Sequence, residues 1–266
     1  MTVEHEAGCN TMLDNAHHYF DVITVLAQKD FKVRYRNSVL GFLWSLLNPL
    51  AYMVILTLVW SLLLRVNIPN YTAWVLLGIL IWRFFSIGTG QGMVSILGNA
   101  SLVTKVYLPR QLIVLSNNLA NLIGATLEFV ALLPLLAVLG VNLTAYALYL
   151  PAVLVCEFFL IFGVSLTLSS LNVRYRDFNQ VWDIVLQLGF FITPIFYDPN
   201  LVPARYQSIY SLNPVTRLIE STRTIFLRNG LPSLYDNAVI LSSIVLLLLL
   251  GLLVFGRLEK RFAEEI

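Results

Sequence analysis

Charge is scarce in this chain. Of its 266 residues only 12% are Asp, Glu, Lys or Arg, about half the roughly 25% usual in soluble globular proteins. Apolar residues make up 58%, too many for the surface of a soluble globule, and the chain reads as an integral membrane protein. A net charge of only +2 lacks the basic excess of a nucleic-acid binder, so no such partner is expected. Cysteine is nearly absent. Cys9 lies in a polar N-terminal stretch and Cys156 in an apolar run, depths that argue against a disulfide. Cys9, His5, His17 and His18 match no zinc spacing, and no metal site is expected. No lysine follows a glycine, which removes the G-x-x-x-x-G-K-[ST] phosphate loop and any ATPase of that type. H-E-x-x-H and G-x-S-x-G are also missing, so no catalytic residue is nominated and no cofactor is expected in this chain.

What is abundant is long apolar sequence. A hydrocarbon core of about 30 Å needs about 20 helical residues, and five runs meet this: 39–64, 71–97, 111–139, 145–171 and 234–255. A sixth, 181–197, is short, lies between Asp177 and Asp198, and carries Pro194 near its end, which predicts a bend before the chain reaches water. The predicted class is all-α, with six transmembrane helices in one membrane domain. Residues 1–18 lack an apolar core and do not resemble a cleavable signal peptide. They are expected to form a cytoplasmic tail, followed by an amphipathic interface helix over 19–37. There Lys29, Lys32 and Arg36 share one face, and Tyr19, Val22, Ile23 and Leu26 another.

Sided counting sets the orientation. With six crossings, one side holds Lys29, Lys32, Arg34, Arg36, Lys105, Arg110, Arg174, Arg176, Arg257, Lys260 and Arg261. The other holds Arg65, Arg205, Arg217, Arg223 and Arg228, while Arg83 falls inside a span. The excess of Lys and Arg places both termini in the cytoplasm. Residues 198–233 then form an outer segment in which Asn213-Pro214 and Asn229-Gly230 bracket a helix of about fifteen residues. That helix is too short to span, and is expected to be re-entrant or interfacial.

Three motifs carry a resemblance. KVRYRNSVLGFLWSLLNPL from Lys32, LNVRYRD from Leu171 and ITPIFYDP from Ile192 are similar, in order, to segments of ABC-2 type permeases that export polysaccharides such as O-antigen and teichoic acid. The resemblance implies an inner-membrane homodimer that recruits two copies of a separate ABC ATPase, ATP and Mg being bound there. It also implies a polyprenyl-diphosphate-linked polysaccharide passing between the copies. A smaller lipid or drug-like amphiphile is the alternative cargo, and a proton-coupled carrier using Glu128 and Glu157 is a more distant one.

On this reading Lys32, Arg34 and Arg36 meet either the lipid diphosphate or anionic membrane lipid. Tyr35, Gly41, Trp44, Asn48 and Pro49 are read as a tight helix crossing and partner-facing segment. The family's coupling element matches Ser101 to Arg110, and Lys29, Tyr35, Thr104, Lys105, Tyr107 and Arg110 are candidates for the ATPase contact. Sugar rings present C–H faces that stack on aromatics, so a sliding polymer suits an aromatic conduit. Candidates are Trp44, Tyr52, Trp60, Trp82, Phe84, Phe85, Phe190, Phe191, Phe196 and Tyr197, with interface belts and ordinary packing as the competing explanation. Arg83, Glu128 and Glu157 are ionisable groups at membrane depth, where charges face cavities or partners.

Overall fold

The computed structural model describes residues 19–34, 41–63, 68–106 and 108–262. Cys9, the three histidines, Tyr35, Arg36, Arg65 and Tyr107 lie outside them. Ten helices follow in order, with no strand among the described residues. Helix α1 covers 19–34. It is followed by α2 (Leu43–Thr57), α3 (Tyr71–Gly98), the short α4 (Ala100–Lys105), α5 (Gln111–Val138) and α6 (Leu150–Arg174). The chain ends through α7 (Phe178–Ile192), α8 (Ala204–Ser211), α9 (Pro214–Leu227) and α10 (Leu234–Leu258).

Five helical stretches are long and apolar enough to cross a membrane: Leu43–Ser61, Tyr71–Gly98, Gln111–Val138, Ala145–Arg174 and Leu234–Arg261. They fall on the five long apolar runs. The sixth run forms a helix, but one displaced toward the N-terminus, over Phe178–Ile192. It stops where Thr193 turns extended before Pro194, because a proline forces the residue before it out of the helical region.

Helix α3 is the axis of the bundle. Leu76, Leu77, Ile81 and Ile96 on it are fully buried, as are Phe129 and Leu136 on α5 and Leu160 and Ile161 on α6. Lipid is as apolar as these side chains, so close packing holds such helices together. At the crossing of α6 and α10 glycine lets backbone approach backbone. A Cβ at Gly251 would collide with the Gly163 carbonyl oxygen, and one at Gly163 would stand 2.8 Å from the Leu247 carbonyl carbon. By contrast α7 has no buried residue. At Gly41 a φ of +48° identifies a left-handed turn ahead of α2.

The two ends of the bundle differ. At one, α1, α4 and the C-terminal ends of α6 and α10 gather; at the other, α8 and α9 fold against the start of α3. Asn213 caps α9, its Oδ1 accepting from the Val215 amide at 3.0 Å, and Pro214 takes the first helical position. Expected to be re-entrant or interfacial, α9 packs into the bundle end against α3, α6 and α10. Arg223 anchors it. Its guanidinium is fully buried, lies 3.2 Å from the Trp74 ring centroid, pairs with Glu220 at 2.8 Å and donates to the carbonyls of Trp74 and Ile195. Burial pulls its pKa down to about 10 against the opposing pull of Glu220, which still leaves it charged at neutral pH.

Candidate functional site

Helix α1 closes over α3 and α5 through polar contacts. The Lys29 Nζ donates to Asn99 Oδ1 at 2.6 Å and pairs with Asp30 at 3.5 Å. Asp30 accepts from Asn117 Nδ2 at 3.2 Å, and Arg34 donates to Asn121 at 2.6 Å and to Gln91. A cleft of about 370 Å³ lies among Lys29, Asp30, Arg34, Gln91, Asn99 and Asn117. Arg34 therefore turns inward, while Lys32 stays exposed. Lys29 lines this cleft beside Arg34 and remains exposed.

Deeper in the bundle Arg83 sits twelve residues from Tyr71 and fifteen from Gly98, near the middle of α3. Its Nε and Nη2 donate to the two carboxylate oxygens of Glu128, each at 3.2 Å. Its Nη1 donates to Asn48 Oδ1 at 2.9 Å. A fork on a carboxylate is the arrangement that makes a charge at membrane depth tolerable. Arg83 and Asn48 also line a cavity of about 560 Å³ with Tyr52, Trp82, Gln187, Phe190 and Phe191. Glu157 is not part of this group. It is fully buried on α6, and neither carboxyl oxygen has a hydrogen-bond partner among the described residues.

The aromatic candidates separate into two sets. Tyr52 and Trp82 each lie 6.2 Å from Phe190. From Phe190 the rings continue to Phe191 at 5.6 Å and Phe196 at 5.7 Å. Phe196 meets Trp60 and Tyr197, both at 5.2 Å, and Tyr197 meets Tyr210 at 6.4 Å. These centroid separations are those of contacting rings, and they make one ladder from the middle of the bundle to its α8 end. Trp44 is exposed and Phe84 buried, while Phe85 joins the ladder through Trp82 at 5.8 Å and also faces an apolar groove that it shares with Trp82, Trp182 and Leu247.

At the end carrying α1, Thr104 and Lys105 on α4 are exposed. They border a groove of about 650 Å³ with Tyr19, Leu108, Gly256 and Lys260. Arg110 is committed inward, donating to the Glu259 carbonyl and lying 5.8 Å from the Phe262 ring centroid.

Over residues 21–227 the sequence matches the family described as ABC-2 type transporter. The chain belongs to the ABC-2 type transporter family. Among the relatives of this ABC-2 chain is the O-antigen export system permease protein RfbA of Klebsiella pneumoniae, 32% identical over 251 residues, or 94% of this chain and 96% of that one. RfbA of Myxococcus xanthus is 32% identical over 254 residues, 93% of this chain and 96% of its own. The capsule polysaccharide export inner-membrane protein CtrC of Neisseria meningitidis serogroup A is 24% identical over 243 residues, covering 90% and 91%.

Within this ABC-2 chain several residues of the site escaped the motif reading. Gln91 and Asn121 hold Arg34 and Asn117 holds Asp30, while Asn48, already in the first motif, holds Arg83. Gln180, Asp183 and Gln187 stand on the exposed side of α7, with Gln187 in the cavity wall. A signal for them existed. Polar residues at i, i+3 and i+7 in an otherwise apolar helix mark one face, and Asn117, Asn121 and Glu128 do the same on α5.

Proposed function

We propose that this chain is the permease subunit of an ATP-driven exporter that moves a polyprenyl-diphosphate-linked polysaccharide across the inner membrane. The observation that carries the reading is the ladder of rings bordering a cavity that bears one guanidinium. Stacking contacts are individually weak and indifferent to sugar sequence, so a polymer can advance along them without being trapped at any step. The polysaccharide-export names of relatives that align end to end with this chain support the same cargo.

The remaining parts follow from that assignment. Helix α7 makes the sixth crossing, completed by the non-helical residues 193–197, with both termini cytoplasmic and α1 lying at the inner surface. Helix α4, with Thr104 and Lys105 exposed, docks one copy of a separate ATP-binding subunit that carries ATP and Mg. Two permease chains and two such subunits make the working assembly, and the exposed polar and aromatic side of α7 faces the second permease across the conduit.

Purification of the native complex tests the reading. A distinct ATP-binding subunit should copurify, and the chain alone should hydrolyse no ATP. Recovery of an active transporter without any nucleotide-binding subunit sinks it.

A further inference from the structure

Arg83 has a side that the ion pair does not use. Of the five N–H donors of a guanidinium, three are engaged by Glu128 and Asn48, which leaves two without a partner among the described residues. No described residue in the cavity wall on that side is a carboxylate. The cavity is bordered by Asn48, Tyr52, Trp82, Ser86 and Gln187 besides Arg83. Glu128 lies behind the guanidinium instead, where it borders a separate small space of about 10 Å³ with Arg34, Asn121 and Gly124. The arrangement is directional, with a fixed counter-charge at the back and a cation toward an aromatic, hydroxyl- and amide-bearing chamber. A residue kept only to satisfy Glu128 would not need an open front.

We propose that Arg83 forms a mid-span binding site for an oxyanion, with Glu128 and Asn48 holding its guanidinium open to the cavity. On the exporter reading above, on which this rests, the ligand is the diphosphate joining glycan to lipid. The two remaining N–H groups, one on Nη1 and one on Nη2, can each meet an oxygen of the diphosphate, and the flat guanidinium fixes their separation as an ammonium does not. A second arginine lies behind it, on the side of Glu128. Arg34 stands at the α1 end, held by Asn121 and Gln91, and Asn121 and Glu128 share one face of α5. From Asn117 to Glu128 that face rises about 16 Å at 1.5 Å per residue. Asp30, Arg34, Glu128 and Arg83 thus alternate in sign along the climb. Glu128 keeps Arg83 from binding the diphosphate irreversibly, because that arginine retains its counter-charge when the ligand leaves.

The test is direct binding to the full chain in phosphatidylcholine nanodiscs, without an ATPase. The probes are a short-chain prenyl diphosphate, the matching prenyl alcohol, a lipid-free uronic-acid oligosaccharide and phosphatidylglycerol. The diphosphate should bind best. Arg83→Met combined with Glu128→Leu, which removes both charges and so leaves neither buried alone, should weaken it by about tenfold to a hundredfold, as loss of charged hydrogen bonds does. Arg83→Lys should fall between the two. The same affinity in the double variant as in the wild type overturns the proposal, as does equal binding of the alcohol. Tighter binding of the oligosaccharide moves the oxyanion from lipid to polymer, and equal competition by phosphatidylglycerol makes this a general lipid site; either result overturns the diphosphate assignment. A double variant that loses binding in a protein that has no ATPase partner leaves the site standing and removes the exporter reading.

Discussion

Arg223 shows how a single residue fixes an end of the bundle. Its guanidinium joins α9 to the Trp74 carbonyl on α3 and to the Ile195 carbonyl beyond α7, so three parts of the chain share one buried cation. Removing it leaves two carbonyls without their donor and costs Glu220 one of its two arginines, the other being Arg228 at 3.2 Å. Arg223→Met is expected to destabilise the protein by about 3–5 kcal/mol, read as a lower thermal unfolding temperature in detergent. Arg223→Lys should recover little, since an ammonium cannot reach the same fork-shaped set of acceptors. A variant that unfolds within a degree of the wild type would contradict this account of the anchor.

Among the helices, α7 carries a polar face on an otherwise apolar helix. Gln180, Asp183 and Gln187 line one side of it with Phe190 and Phe191 beyond, and none of its residues is buried. Replacing Gln187 or Phe190 by Ala should therefore slow polysaccharide export by about threefold to tenfold, the worth of one stacking or polar contact. The unfolding temperature should barely change. Loss of stability without loss of export would make α7 a packing element. Its length was hard to read in the sequence, because hydropathy continues through Ile195 and Phe196 while the backbone has already left the helix at Thr193. The five long spans were legible to within a few residues, since lipid demands uninterrupted apolar helix. The cap and proline of α9 were equally legible, but not its burial. That depends on Arg223 finding partners from Trp74 and Ile195, far away in sequence. The candidate site was legible in kind rather than in membership. Aromatics and an intramembrane arginine were visible, yet only the fold separates Phe84 from Phe190 or joins Arg83 to Glu128.

At the scale of the whole molecule, charge is polarised. Lys29, Lys32, Arg34, Lys105, Arg110, Arg174, Arg176, Arg257, Lys260 and Arg261 belong to the end with α1 and α4, whereas Arg205, Arg217, Arg223 and Arg228 belong to the end with α8 and α9. Positive residues retained on the cytoplasmic side orient the bundle, so reporters fused at either terminus should be active in the cytoplasm and one inserted after Gly230 outside. Protease or thiol-reagent access in intact cells would check this, and a terminus labelled from outside would reverse the assignment. The Gly163 and Gly251 crossing then acquires a mechanical meaning. Two backbones that meet at glycine leave no side chain between them to yield, so any substitution at Gly163 or Gly251 should push α6 and α10 apart along their length.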